Sequence, residues 1–351
     1  SGSAATSPPA RACTAPSSQL LASPTPASMA DVESPKAWRT ALADLGGPAP
    51  ESAPRPWARP LALGWSLVAA ALRRSRRRRR VPVPVPVIGV GSANARGPGR
   101  TSLVRALVRE LRDRGHTVGV ALRGYRRAHD GAPGLSGDPL DVDRIGDEGA
   151  VHARAGGLVA ADPDRARAVD ALVKHGVTAI VVDDGMLRGD VVFDLSLVVV
   201  DARFPGARGP LPAGERRPGH LAATWQLATH TGPGFPPPPG TLPIDRTPGP
   251  WMQGDVPSAP PPGPVVAVAG IARPADFFDS LEIPVAQRIA LRDHAPIDLG
   301  WIERRAEGRA LVMTGKDAAR LSPTDRARVW WRELDVGLPE PILAELPLGP
   351  R

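Results

Sequence analysis

The sequence predicts an α/β fold: a mostly parallel sheet covered on both faces by helices, followed by a second, smaller α/β unit. Three observations carry this. Apolar runs without polar alternation, the mark of strands buried on both faces, recur at residues 85–91, 117–122, 179–184 and 195–201. Helical stretches separate them, at 101–114 and 166–174, the first with Leu103, Leu107 and Leu111 spaced four apart along one face. Strands alternating with helices pair in parallel, because each crossover helix returns the chain to the same edge of the sheet. Residues 231–263 are then dominated by Pro and Gly, and the apolar run 265–269 opens the second unit.

Five segments follow from this pattern. Residues 1–55, rich in Ala, Pro and Ser without a sustained apolar period, read as a disordered extension. Segment 56–80 holds an apolar stretch from Pro60 to Leu72, then Arg73, Arg74 and the run Arg76 to Arg80. The stretch is short of the roughly 20 residues that cross a bilayer. Trp65, Val68 and the arginine cluster suit a helix lying on an anionic membrane surface. A core helix with a solvated basic end is the other reading. Residues 81–230 form the main α/β core, 231–263 a linker or long surface loop, and 264–351 the C-terminal unit. No internal repeat is found.

Bulk composition narrows the classes. The 351 residues carry a net charge of +8, nearly all as arginine, with lysine only at Lys36, Lys174 and Lys316. That charge favours an anionic partner. Cys13 is the one cysteine, which excludes an intrachain disulfide and a cysteine metal site. Aromatic residues make up 4 %, too few for a base-stacking platform, so no nucleic-acid partner is expected.

The run Gly91-Ser-Ala-Asn-Ala-Arg-Gly-Pro-Gly-Arg-Thr-Ser102 joins a strand to a helix, the context of a phosphate-binding loop. Glycines let the backbone approach phosphate, and the helix N-terminus adds positive potential. Such a loop places a lysine on the β/γ-phosphates and a Thr or Ser hydroxyl on Mg²⁺. Here Asn94 stands at the first motif glycine and Arg100 at the lysine, while Gly99 and Thr101 remain; Pro98 removes one N–H from the cradle. Taken alone, the segment is equally a Gly/Pro-rich turn. Val181-Val-Asp-Asp-Gly185 ends a strand with two carboxylates, where a Mg²⁺-holding aspartate sits beside a phosphate loop. It is also an ordinary turn sequence.

Together with further blocks, these segments resemble the tetraacyldisaccharide 4'-kinase family. Leu122-Arg-Gly-Tyr125 is similar to its Ser-Arg-Gly-Tyr motif and Gly146-Asp-Glu148 to its Gly-Asp-Glu. Ala161-Asp-Pro-Asp-Arg165, Val198-Val-Val-Asp201 and Leu211-Pro-Ala-Gly214 resemble three more blocks. In the second half, Ala267 to Phe278, Asp293-His294 and Thr314-Gly-Lys-Asp317 continue the match, which spans residues 57–336 in collinear order. The resemblance implies a P-loop NTPase-like core with an N-terminal membrane-associated helix. It also implies ATP-dependent phosphorylation of the 4'-hydroxyl of a lipid A disaccharide precursor, with Mg²⁺, on the cytoplasmic face of the inner membrane, peripheral or monotopic; the sequence leaves the oligomeric state open, with a monomer favoured. Residues Asn94, Ala95, Arg96, Gly97, Pro98, Gly99, Arg100 and Thr101 would cradle the nucleotide phosphates. Thr101, Asp183 and Asp184 would hold Mg²⁺, with Asp184 counted among the catalytic groups. Asp147 would accept the proton of the attacking hydroxyl and His294 would orient Asp147. Without the resemblance, Asp147 reads as the cap of a helix beginning at Glu148, and His294 as a loop histidine.

The sequence departs from the family in several places. Arg100 replaces the phosphate-loop lysine, Leu187 and Arg188 replace Gln and His after Asp-Asp-Gly, and Ala295 replaces the second His of Asp-His-His. Gly315 stands in place of a Glu, and Arg217-Pro218 lacks the carboxylate of the family's Arg-Glu. Two readings follow: a divergent active kinase, which keeps Thr101, Asp147, Asp183, Asp184 and His294, or an impaired relative that binds nucleotide or anionic lipid.

Overall fold

A computed structural model describes residues 60–64, 66–68, 71, 82–93, 99–125, 127, 131–137, 140–186, 190–204, 223–293 and 295–348. The N-terminal extension, Trp65, the arginines from Arg73 to Arg80, Asn94 to Pro98, Leu187, Arg188, Leu211 to Gly214, Arg217, Pro218 and His294 lie outside the described residues.

The first sheet is built from β1 (Val87–Ser92), β2 (Val118–Leu122), β3 (Gly134–Leu135), β4 (Leu158–Ala161), β5 (Ala179–Asp183), β6 (Leu195–Asp201), β7 (Trp225–Thr229) and β8 (Leu242–Pro243). Its order is β3-β4-β2-β5-β1-β6-β7-β8, and every pair is parallel except β3 with β4. β1, β2, β5 and β6 are buried along their whole length, as their unbroken apolar runs require. Helices α1 (Arg100–Asp113) and α2 (Val142–Arg154) cover one face, packing Leu103, Leu107, Leu111 and Ile145 onto Ile88, Val90 and Val120. Helix α3 (Arg165–Lys174) covers the other, packing Ala168, Val169 and Leu172 onto Val87, Ile180 and Val182. The pleat sends neighbouring residues to opposite faces, so one strand feeds both cores.

The Pro/Gly-rich stretch 231–263 is woven into the fold: it supplies β8, then β9 (Arg246–Pro248), β10 (Met252–Gln253) and β11 (Val256–Pro257). β12 (Val265–Ala269) begins the second sheet, completed by β13 (Val285–Ala290), β14 (Leu311–Thr314) and β15 (Trp330–Arg332) in the order β11-β10-β15-β14-β12-β13. Here α4 (Pro274–Asp279) packs Phe277 and Phe278 on Val265 and Ala267, while α5 (Leu299–Ala306) packs Ile302 on Val266 and Val268. Short helices α6 (Gly315–Ala318) and α7 (Pro323–Arg326) follow β14. β16 (Leu334–Val336) pairs with β9, and α8 (Glu340–Glu345) returns Ile342 and Leu346 to the core of the first sheet.

Residues 60–64, 66–68 and 71 are helical, with Ala62 buried and Leu61, Leu63, Leu67 and Val68 exposed. No helix among the described residues is long and apolar enough to cross a membrane.

Candidate active site

β1 lies between β5 and β6, so the turn leaving β1 emerges beside the C-terminal ends of both. That edge is where ligands bind in doubly wound sheets. Gly99 precedes α1 with φ of 109°, a left-handed backbone that glycine adopts without strain. The first turn of α1 contains no acidic residue, and no side chain caps it among the described residues.

Arg100, the first residue of α1, folds back onto the end of β5. Its Nε lies 2.5 Å from Asp183 Oδ1, Nη1 3.3 Å from Asp184 Oδ1 and Nη2 3.7 Å from Glu148 Oε1. Burial works against this guanidinium's charge, but Asp183, Asp184 and Glu148 more than offset it and raise its pKa. Asp183 is 1 % exposed. Burial alone would raise its carboxyl, yet the Arg100 charge and a hydrogen bond from His152 hold it well below the usual carboxylate range. Asp184 turns outward in a left-handed conformation, φ 56°, and is 30 % exposed at the side chain. A non-glycine residue held there at the edge of a cleft carries strain of the kind found at functional sites.

Helix α2 brings the third carboxylate. Gly146 interrupts it with φ 78° and ψ 170°, so the second helical segment begins with Asp147 and Glu148 in its first turn. Their position after the break, rather than at the capping residue itself, still places two negative charges at a helix N-terminus. Gly146 also lets the backbone of Tyr125 come close; an added Cβ would stand 2.9 Å from the Tyr125 carbonyl oxygen. The Arg-Gly-Tyr turn and the Gly-Asp-Glu turn are thus packed on one another. Asp147 is half-buried, and Glu148 also faces Lys316 of α6, Nζ 3.7 Å away.

A cavity of about 320 Å³ opens between the two sheets. Gly99, Arg100, Thr101 and Glu148 line one side, Asp293 and Lys316 the other. The structure therefore brings together Gly99, Arg100, Thr101, Asp183 and Asp184, with Asp147 adjacent to Glu148; His294 and the loop residues Asn94 to Pro98 lie outside the described residues.

Sequence reading passed over three contributors. His152 sits four residues after Glu148 on the same face of α2, fully buried, with Nε2 3.0 Å from Asp183 Oδ2. Arg246, from the Pro/Gly-rich stretch, lines the same cavity. A charged network joins the sheets nearby. Buried Asp201, at the end of β6, receives Arg203 Nη2 at 2.9 Å and Arg273 Nη1 at 2.5 Å, while Arg203 Nη1 and Nη2 each reach Asp276 of α4 at 2.8 Å. Only Asp201 and the Arg273 segment stood within recognisable motifs. The others are single residues whose neighbours are set by topology.

A parallel α/β sheet with a glycine turn feeding a helix beside a two-carboxylate strand end defines the P-loop kinase class. A family model described as tetraacyldisaccharide-1-P 4'-kinase matches residues 55–346, and the chain belongs to that family. It is 33 % identical over 271 residues to the tetraacyldisaccharide 4'-kinases of Bordetella parapertussis and Bordetella bronchiseptica, covering 70 % of this chain and 77 % of each relative. Its fold is similar to that of the "apo" form of LpxK from Aquifex aeolicus in complex with ATP, with TM-score 0.67 and 21 % identity over 82 % of this chain and 96 % of that one. None of these findings supports an inactive relative.

Proposed function

We propose that the protein transfers the γ-phosphoryl group of ATP to the 4'-hydroxyl of a tetraacyldisaccharide 1-phosphate. The observation that carries this is that Gly99, Arg100 and Thr101 at the α1 N-terminus line one cavity bounded by the second α/β unit, while Arg100 is ion-paired behind them to Asp183 and Asp184. Phosphoryl transfer asks a protein chiefly for positioning and charge stabilisation. Asn94 to Thr101 would wrap the triphosphate, with Arg100 supplying the cation that a lysine supplies elsewhere in the family. Asp147 would take the proton as the sugar oxygen bonds to the γ-phosphorus and the bond to the β–γ bridging oxygen of ATP breaks, releasing ADP. His294 would orient Asp147.

Thr101, Asp183 and Asp184 offer a hydroxyl and two carboxylates, a hard-oxygen set that suits Mg²⁺, which takes few protein ligands and leaves the rest of its octahedron to phosphates and water. Among the described residues no three acidic or imidazole groups already form a metal cage. When bound, Mg²⁺ would neutralise charge on the β/γ-phosphates. Asp183 Oδ1 is held by Arg100 Nε at 2.5 Å, so Arg100 and the cation would compete for that oxygen.

A multiply acylated substrate stays in the bilayer, since each methylene exposed to water costs about 0.8 kcal/mol. The exposed Leu61, Leu63, Leu67 and Val68 support docking at the cytoplasmic face of the inner membrane. The test is transfer of labelled phosphate from ATP to the lipid disaccharide by the purified protein. Asp147→Ala is expected to slow transfer by roughly 10²–10⁴-fold. Absence of transfer by the unaltered protein overturns the reading.

A further inference from the structure

Resting on that reading, we infer that His152 is a positioning residue for Asp183, fixing which of its two oxygens faces the cation site. The Asp183 carboxylate meets different partners on its two oxygens: Oδ2 meets His152 Nε2 at 3.0 Å, and Oδ1 meets Arg100 Nε at 2.5 Å, at the N-terminus of α1. An ionised carboxylate only accepts, so Nε2 must carry the proton and donate it. The hydrogen bond therefore anchors Oδ2 against α2 and turns Oδ1 toward the α1 N-terminus, to Arg100 or to a divalent cation.

The other ring nitrogen makes the assignment sharper. Nδ1 of His152 is buried without a hydrogen-bond partner among the described residues. A buried unsatisfied polar atom destabilises a fold, and a leucine of similar size would fill the same space without that cost. What the histidine supplies and leucine cannot is the Nε2 donor. The placement follows from the helix: Glu148 and His152 are one turn apart on α2, so a single face of that helix holds a carboxylate against Arg100 and an imidazole against Asp183. The Gly146 break sets where that face begins.

Groups that hold a metal-ligating carboxylate are worth about 10–100-fold in metal affinity or activity. The experiment titrates Mn²⁺ into full-length protein carrying stoichiometric non-hydrolysable ATP, read by electron paramagnetic resonance against the nucleotide alone, for the wild type, His152→Leu and His152→Gln. Leucine is expected to weaken Mn²⁺ binding about tenfold or more, and to lower kcat with the KM for the lipid unchanged. Glutamine, whose amide can donate from nearly the Nε2 position, is expected to restore most of both. A leucine variant that binds Mn²⁺ as the wild type does, or a glutamine variant no better than leucine, overturns the inference. Should leucine prevent folding, the ¹⁵N spectrum of the unaltered protein decides: a proton on Nε2 with Nδ1 bare supports the assignment, and a proton on Nδ1 alone overturns it. If the unaltered protein binds Mn²⁺ and nucleotide but transfers no phosphate to the lipid, the proposed function fails while the comparison of variants still judges His152.

Discussion

Arg100 is buried among three carboxylates, and its neighbours keep it permanently charged. Removing that charge leaves buried Asp183 without its arginine counter-charge, and burial is the largest single influence on its carboxyl. Breaking a buried pair from one side typically costs about 3–5 kcal/mol. Arg100→Met is therefore expected to lower the urea midpoint by an amount in that range, and the double variant with Asp183→Asn to recover a good part, because the uncompensated charge is gone. Equal loss in single and double variants would show that the arginine acts through packing alone. Arg100→Lys keeps the charge on a shorter stem, and steady-state assays are expected to find its transfer rate within about tenfold of wild type, whereas Arg100→Met falls by about 10²–10³-fold. Much of this site was legible in the sequence. Arg100, Thr101, Asp183 and Asp184 each stand at the end of a strand or start of a helix marked by glycine, so local pattern located them. His152 carries no such mark: a histidine within a helix gains meaning only once the helix is seen to cross the end of β5.

Elements were legible to the extent that their patterning is self-sufficient. β1, β2, β5, β6 and β12 are unbroken apolar runs, and α1 and α3 are amphipathic, so each was readable to within a residue or two of its ends. β8 to β11 were not, because two- and three-residue strands rich in Pro depend on a neighbour for their pairing. α2 was only half legible: the sequence offered a helix beginning at Glu148, whereas the helix starts at Val142 and is kinked at Gly146. That glycine lies in a region of backbone space that is essentially closed to other residues, worth about 1–3 kcal/mol of strain. An added Cβ would also press on the Tyr125 carbonyl, which is backbone and yields little. Gly146→Ala is thus expected to destabilise by about 3 kcal/mol or more. Gly99→Ala, where the nearest atom among the described residues would lie at an ordinary 3.6 Å, is expected to cost the strain of its left-handed backbone, about 1–2 kcal/mol. Urea unfolding of the two variants ranks them, and a Gly99 variant the less stable of the pair would contradict the geometry.

At the scale of the whole molecule, the two sheets are held by charge as well as by apolar contact. Arg203 bridges Asp201 on β6 to Asp276 on α4, and Arg105 and Arg109 of α1 tie the separate β9–β16 ribbon to the first sheet's helix through Asp335. Burial tends to raise the carboxyls of Asp201 and Asp276, but hydrogen bonds and charge from His230 and Arg203 bring both well below their ordinary values. Asp183 is lowered in the same way. A carboxylate lowered in the folded state adds stability that is complete above its unfolded value of about 3.9 and is lost as pH falls through the folded value. The stability of the chain is therefore expected to be little changed by these groups between pH 7 and 5, then to decline below about pH 4, each group contributing up to about 1.4 kcal/mol per pH unit. Because two of the three carboxylates sit at the junction of the sheets, the acid loss is concentrated there. Asp276→Asn removes one proton-linked contact, so that variant is expected to start less stable at pH 7 and to fall less steeply with acid. Urea midpoints measured from pH 7 to 3 check both halves: a variant slope as steep as that of the wild type would mean that the acid sensitivity resides elsewhere than in the bridge between the sheets.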